Sequence, residues 1–482
     1  VQKRNCLVVV VSYSFEEIRC QVLKRVTPSE SDQKKVQALA NSLTRKVEQV
    51  AKIMGVKVDA RTEGSVAKNT WLKDSPEIDV FMQVSESVPR EEFGTVLLEV
   101  AKEATKDYDQ IERYAEHPYI EAVTDDGVYL NVVPCYKVKQ GNLKSATDRT
   151  PFHTDYVKAH LTEKMSEEVR LLKRFMKGIN TYGAEIKIGG FSGYLCELLV
   201  LNFGSFLEVL RSVADWKQKI VIDTEKQYKQ TETLKKKFVE PIIVVDPVDK
   251  QRNVAAAVRP QKLNEFIAAS REFLKTPEIK FFYPPKTKAL TQTELLETIP
   301  ERGSCLVFIK FKGKTTTVPD VLWGQLYKSQ KAIQKIIKQN DFTVLRNAVW
   351  SNEKSLNLFV FELENRLIPN MKLQLGPPLT RKVECEKFLR KHLGSSLTVC
   401  GPRIEKSRWV VDVKRDYIDA VVLLKAKLGD GGKREGVADI VAKATGSLEI
   451  LINNEIVSFY CADSGFAGFL SQFLDGKPLW LS

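Results

Sequence analysis

EGSVAKNTWLKDSPEIDVF, residues 63–81, is the stretch on which the reading of this chain turns. A Gly-Ser pair opens it, basic and polar residues follow, and Glu77 and Asp79 stand one residue apart before an apolar run. The alternation predicts a strand over Ile78–Met82, with Glu77 and Asp79 on one face and Ile78 and Val80 on the other. Like charges so placed raise each other's pKa, so something positive must offset them. A divalent metal ion, a lysine or plain solvent can each do so. Gly64 lets the backbone approach closely. A helix opening at Gly64-Ser65 would present free N–H groups and a hydroxyl to a triphosphate, and Lys68 would add a point charge. E-x-D alone is common; Gly-Ser, eleven residues and then E-x-D on a strand is far more specific.

Working outward, Thr27-Pro28-Ser29-Glu30 reads as an N-cap, an N1 proline and an N3 glutamate. Val36, Leu39, Leu43, Val47, Val50 and Met54 then mark one face of a long helix stopped by Gly55, and a strand is expected over Val56–Asp59. Beyond the motif come a helix over 91–105, a strand-like stretch over 111–124 and a hairpin turn at Asp125-Asp126-Gly127. The next strand, VYLNVVPCYKV, puts Tyr129, Asn131 and Val133 on one face. Residues 144–151 read as a polar loop and domain edge. From His153 to about Pro260 the pattern is helical, with Ser192 capping GYLCELLVLNF and Gly204-Ser205 breaking it. Residues 304–363 predict β-α-β-β, an incomplete ferredoxin-like or RNA-recognition sheet whose helix is capped by Asp320. It lacks the aromatic signature of base stacking. Residues 408–415 and 416–429 read as a strand–helix pair, and the last 45 residues as helical.

At 482 residues the chain has room for two to four domains. Its formal net charge of +13 favours polyanionic partners such as nucleic acid. Eight cysteines without a C-x-x-C pair and only four histidines argue against structural zinc and a disulfide scaffold, and for a reducing cytosol. Leu7–Val11 is far too short to span a bilayer. It sits behind Lys3 and Arg4 like a signal-peptide core, yet SYSFEEIRC offers no small-residue cleavage site. The first twenty residues are set aside from the functional reading.

Seven segments occur in order: EGSVAKNTWLKDSPEIDVFM, RYAEHPYI, VVPCYKV, SATDRTPFHT, EVRLLKRFMKGINTYGAE, GGFSGYLCELLVLNFGSF and DPVDKQRNVAAAV. Through them the chain resembles the archaeal-type (class I) CCA-adding enzymes, tRNA nucleotidyltransferases of the polymerase-β-like superfamily. The likeness is dense over Glu63–Val258 and weaker over the rest of 22–482. It implies an α+β multidomain fold. After an uncertain extension (1–21) come a nucleotidyltransferase head (22–150), a helical neck (151–260), an α/β body with the β-α-β-β unit (261–364), a tail gripping the tRNA acceptor arm and T stem (365–430), and the C-terminal part of the body (431–482). It further implies addition of CMP, CMP and AMP to tRNA from CTP and ATP with Mg2+ and no template, in the cytoplasm, by a protein that does not enter membranes and whose relatives are often homodimers.

Residue by residue, Glu77 and Asp79 match two of the family's three catalytic, metal-binding carboxylates. Gly64, Ser65 and Lys68 match its triphosphate-contacting end. His153, Lys173 and Tyr182 match residues contacting phosphates and sugar, Arg252 an arginine near the nucleotide, and Glu116 the pocket side. One position departs: Asn131 stands where the third carboxylate is normal, leaving an acceptor oxygen without charge, and Asp125 and Asp126 lie too far along the strand to replace it. Two rivals follow, a poly(A) polymerase-like RNA nucleotidyltransferase and a catalytically impaired tRNA-binding paralogue. The bland alternatives are a helix cap for Ser65, a loop partner for His153, surface for Lys173, core for Tyr182 and a loop cap for Arg252. Cys135 reads as strand packing, with no base paired to it.

Overall fold

Two helices lead into the first sheet. Phe15–Val26 (α1) presents Ile18, Val22 and Val26, all fully buried, at helical spacing. Glu30–Ile53 (α2) buries Val36, Ala40, Leu43, Val47 and Ala51 on one face, with the expected Leu39 and Val50 half-buried beside them, whereas Met54, expected on the same face, is the exposed C-cap. Its cap is Ser29, not Thr27, because α1 runs to Val26 and makes Thr27 its own C-cap. The Ser29 hydroxyl accepts from the Asp32 backbone N–H at 3.2 Å while the Asp32 carboxylate accepts from the Ser29 N–H at 2.9 Å. Gly55, at φ +76°, follows the end of α2. The first strand then forms at Asp59–Glu63 (β1), later than the expected Val56–Asp59, because register with the next strand decides it.

The computed structural model describes residues 14–114, 117–217, 219–313 and 318–482. They form two compact units: the chain up to Lys286 with Lys477–Ser482, and Thr287–Gly476. In the first, a helical turn at Gly64–Ala67 (α3) follows β1 and leads to Glu77–Val84 (β2). Val96–Ala104 (α4), Asp109–Tyr114 (β3), Pro118–Val123 (β4) and Tyr129–Tyr136 (β5) complete a five-stranded sheet in the order β1-β2-β5-β4-β3. Only β2 and β5 pair in parallel. Ile78, Val80, Met82 and Val84 point from β2 into a core shared with α2 and α4, which leaves Glu77 and Asp79 on the opposite face.

The helical part follows: Arg149–His160 (α5), Glu163–Gly178 (α6), Gly193–Phe203 (α7) and Phe206–Ala214 (α8). Ser192 caps α7 through the Leu195 N–H at 3.2 Å, as expected, and Ser205 caps α8. Ile220–Ile222 (β6), Thr231–Lys237 (α9), Ile242–Val244 (β7) and Pro260–Lys275 (α10) close it. Its core takes Phe175, Phe191, Phe206, Phe266, Phe273, Phe281 and Phe282, and also α1. Residues 15–26 therefore belong to the helical core, correcting their placement in an extension and head. Trp480 stacks on Phe281 with ring centroids 5.4 Å apart, so the chain's last residues join this unit and not the body.

The second unit opens with Gln292–Glu301 (α11). The expected β-α-β-β unit is present as Cys305–Lys312 (β8), Pro319–Gln339 (α12), Val344–Ser351 (β9) and Leu356–Leu363 (β10). Val318, not Asp320, holds the cap position of α12, because Pro319 fills its first turn. Met371–Pro378 (β11), Lys382–His392 (α13), Thr398–Glu405 (β12) and Arg408–Lys414 (β13) form a separate layer with sheet order β11-β13-β12. Ala420–Leu428 (α14) then returns to the β8-β10-β9 sheet, and Glu449–Ile452 (β14) adds to its edge, giving the all-antiparallel order β14-β8-β10-β9. Both faces of that sheet are buried, which explains the unbroken apolar run of β8. The expected strand–helix pair over 408–429 is thus split between two layers, and the C-terminal stretch is not wholly helical.

Candidate active site

Register brings the acidic residues together. Asp79 on β2 lies directly opposite Glu63 on β1 and beside Asn131 on β5, which in turn faces Glu121 on β4. Directly paired residues share a face of the sheet, so these four form a row, with Glu77 two residues before Asp79 on the same face. Asn131 is buried, and its Nδ2 donates to Glu77 Oε1 at 2.7 Å and to Asp79 Oδ1 at 2.9 Å. The amide therefore clamps the two carboxylates from the third strand. Its Oδ1 is buried without a hydrogen-bond partner. Burial, then the Glu77 charge, raises the Asp79 carboxyl well above the usual range. Glu63, wholly buried, is pushed up to about 7 by burial.

The Gly-Ser motif is fitted against this row. Gly64 has φ +68°, and a Cβ there would lie 1.8 Å from Asp79 Oδ2. Only glycine lets the backbone pass so close to the carboxylate. Ser65 is half-buried in the α3 turn, and its carbonyl accepts the Thr70 N–H at 2.9 Å.

Lys68 and Lys173 converge on an acid that the motif reading overlooked. Glu197, on α7, is fully buried and accepts from Lys68 Nζ at 2.5 Å, Thr70 Oγ1 at 2.6 Å and Lys173 Nζ at 3.0 Å. Lys173 also donates to the Thr70 carbonyl at 3.2 Å and to its hydroxyl at 3.0 Å, so its ammonium is turned inward. Burial alone would raise the Glu197 carboxyl, but Lys173 and Lys68, with the bonds from Lys68 and Thr70, hold it down at about 2. Two ammonium groups on one carboxylate leave a local surplus of one positive charge. Gly193 is the meeting point of two more predicted groups: a Cβ there would lie 3.0 Å from the Tyr182 hydroxyl and 3.5 Å from Lys173 Nζ.

A second overlooked acid organises the other end. Asp246 accepts from Arg252 Nη1 at 2.8 Å, from the Tyr194 hydroxyl at 3.3 Å and from the Val248 N–H at 3.1 Å, and it bonds His153 Nε2 at 2.8 Å. His153 stacks on Tyr194 at 3.9 Å, and Lys68 Nζ lies 5.6 Å from the centre of that ring. Burial lowers the His153 pKa, only partly offset by Asp246, which favours the neutral ring. One continuous wall thus runs from Glu77, Asp79 and Asn131 through Gly64, Lys68 and Lys173 to His153 and Arg252. Glu116 lies outside the described residues.

The donor set suits a hard cation: carboxylate and amide oxygens, with buried oxygens of Glu63 and Asn131 left without hydrogen-bond partners. As the side chains stand, no three His, Cys, Asp or Glu side chains converge on one point among the described residues. The seven described cysteines are free thiols, and no single described helix is long and apolar enough to cross a membrane.

Three family models match in sequence: a nucleotidyltransferase domain over 43–153, a tRNA nucleotidyltransferase second domain over 167–283 and a CCA-adding enzyme C-terminal domain over 302–443. The CCA-adding enzyme of Methanosarcina barkeri is 38% identical over 416 residues, covering 86% of this chain and 89% of its own. The chain belongs to the CCA-adding enzyme family. The enzyme of Archaeoglobus fulgidus is also 38% identical, over 82% of this chain and 85% of its own, and that of Halobacterium salinarum is 32% identical over 95% and 98%. Membership in this family fits the five-stranded sheet with its acid pair, and the multidomain α+β architecture around it.

Proposed function

We propose that this chain completes tRNA 3′ ends, adding C, C and A from CTP and ATP without a template and releasing pyrophosphate. The observation that carries the reading is the packing of Gly64 against the Asp79 carboxylate, which sets the phosphate-facing turn beside the acidic row. When bound, Mg2+ would activate the attacking oxygen and neutralise the leaving phosphates. Glu77 and Asp79 would hold it, with Asn131 contributing its amide oxygen. Gly64, Ser65 and Lys68 hold the triphosphate, and Tyr182 and the Lys173–Glu197 brace form its floor. His153 and Arg252, fixed by Asp246, orient the sugar and the growing end, with Glu116 on the pocket side.

The helical region serves as neck and the 365–430 layer as the tail on the tRNA acceptor arm and T stem. The order β14-β8-β10-β9, all antiparallel, supports reading β8-α12-β9-β10-α14-β14 as a ferredoxin-like body with that layer inserted. Free cysteines and the net charge of +13 support a cytoplasmic, RNA-facing protein.

The test is incorporation of labelled CTP and ATP into tRNA ending before CCA, with magnesium, by the native chain and by Asn131→Asp. Addition of three nucleotides followed by arrest is expected. A long homopolymer would favour the poly(A) polymerase reading. Binding of tRNA without addition by either protein would favour the silent paralogue, whose support is the Asn131 amide bonded to both acids.

A further inference from the structure

Glu63 is a buried acid whose close cation, Arg61, is shared with a second carboxylate. It is 0% exposed, and neither carboxylate oxygen accepts a hydrogen bond. Arg61 Nε lies 2.8 Å from one oxygen, but the same guanidinium forks onto Asp155 and is about one-third exposed. An ionised carboxylate in such a place is costly unless a cation offsets it. The register gives it a second neighbour. Glu63 is the β1 partner of Asp79, as Asn131 is its β5 partner, so Asp79 is flanked by an acid on one side and an amide on the other. Partners so paired have Cβ atoms about 4.5–5.5 Å apart, within reach of two carboxylates sharing an ion. Held by Arg61 from the partly exposed side, the Glu63 carboxylate has Asp79 as its neighbour across the strand pair.

We propose that Glu63 supplies the third carboxylate of the metal site, so that the acid missing from β5 is provided from β1. The acidic set is then Glu63, Glu77 and Asp79, with Asn131 as a neutral fourth donor. This rests on the metal-dependent reading above but not on the identity of the nucleotide or RNA.

Manganese(II), which takes the same oxygen donors as magnesium, is the probe. Its binding is followed by electron paramagnetic resonance with no nucleotide or tRNA present. Glu63→Gln should weaken binding at least ~10-fold, since even residues behind the ligands cost 10–100-fold. Asn131→Asp in the Glu63→Gln background should restore it. An unchanged manganese affinity in folded Glu63→Gln overturns the proposal and leaves Glu63 as a partner of Arg61. A measurement without substitution covers a variant that fails to fold. In native chain labelled with 13C at the glutamate carboxyl carbon, electron–nuclear double resonance should show two glutamates on the ion, and a single glutamate overturns the proposal. CCA addition by the native chain is scored in parallel. Addition with manganese binding insensitive to Glu63 sinks this inference alone, whereas Glu63-dependent binding without addition sinks the functional reading alone.

Discussion

Two buried acid clusters stand side by side in the candidate site, and they are built to opposite rules. Around Glu197 the protein supplies its own counter-charge: two lysines and a threonine hydroxyl satisfy the carboxylate and hold its pKa at about 2. Around Asp79 the hydrogen bond comes from an amide, and the nearest cation, Arg61, reaches only Glu63 and is shared with Asp155. Glu63 and Glu77 add negative charge, and burial drives the Asp79 and Glu63 carboxyls upward. The first cluster is complete and acts as a brace between α3, α6 and α7. The second carries more negative than positive charge, as the proposed cation site requires.

The sharpest way to break the contrast is to remove one acid from each. Asp79→Asn should reduce nucleotide addition by ~10²–10³-fold or more, the scale of losing one preorganised electrostatic group, while leaving the metal-free protein at least as stable as before. Steady-state incorporation and urea unfolding measure the two effects. Glu197→Gln should do the reverse first: it strands two buried ammonium groups and should cost ~3–5 kcal/mol, read from the urea midpoint. If both variants lose stability equally, the distinction fails.

Gly64→Ala probes the seam between the motif and the row. The methyl group would meet Asp79 Oδ2 at 1.8 Å on a backbone at φ +68°, so a loss of ~1–3 kcal/mol is expected together with weaker triphosphate binding. A fully active, fully stable variant would show that the glycine is not needed for close approach. Asn131→Asp should destabilise the metal-free fold, because it removes both hydrogen bonds to Glu77 and Asp79 and adds a like charge, and should have a positive effect on chemistry. It exchanges a neutral donor for a charged one, and metal affinity should rise ~10-fold or more. An unchanged affinity would mean that the amide already serves as well as an acid.

Much of this was legible in the chain. The face carrying Glu77 and Asp79 followed from alternation in β2, the α2 stripe from its period, the cap at Ser192 from residue type and the break at Gly204-Ser205 from its glycine. What escaped depended on contacts between distant residues. Glu197 sits in the apolar run GYLCELLV, where a lone glutamate looks like the solvent edge of a helix; only Lys173 and Lys68, 24 and 129 residues earlier, make it a buried hub. Asp246 gathers His153 from 93 residues away. β1 lies later than its composition suggests because its pairing with β2 sets its ends. Glu63 was legible only as the first letter of the Gly-Ser motif until the register put it opposite Asp79.

The direct test of the uncompensated cluster is the gain in melting temperature on adding magnesium, compared at pH 5 and pH 8 for the native chain and Asp79→Asn. An acid whose folded pKa is raised keeps its proton where the unfolded chain has lost it. Its burial therefore costs nothing below the unfolded value near 4, and a growing penalty as pH rises toward the folded value, about 7 for Glu63. His153, with its pKa lowered, works in the opposite direction and independently of magnesium. Magnesium should stabilise the native chain strongly at pH 8, little at pH 5, and Asp79→Asn little at either. An equal gain at both pH values, or one that survives Asp79→Asn, would contradict the assignment of this cluster as the cation site.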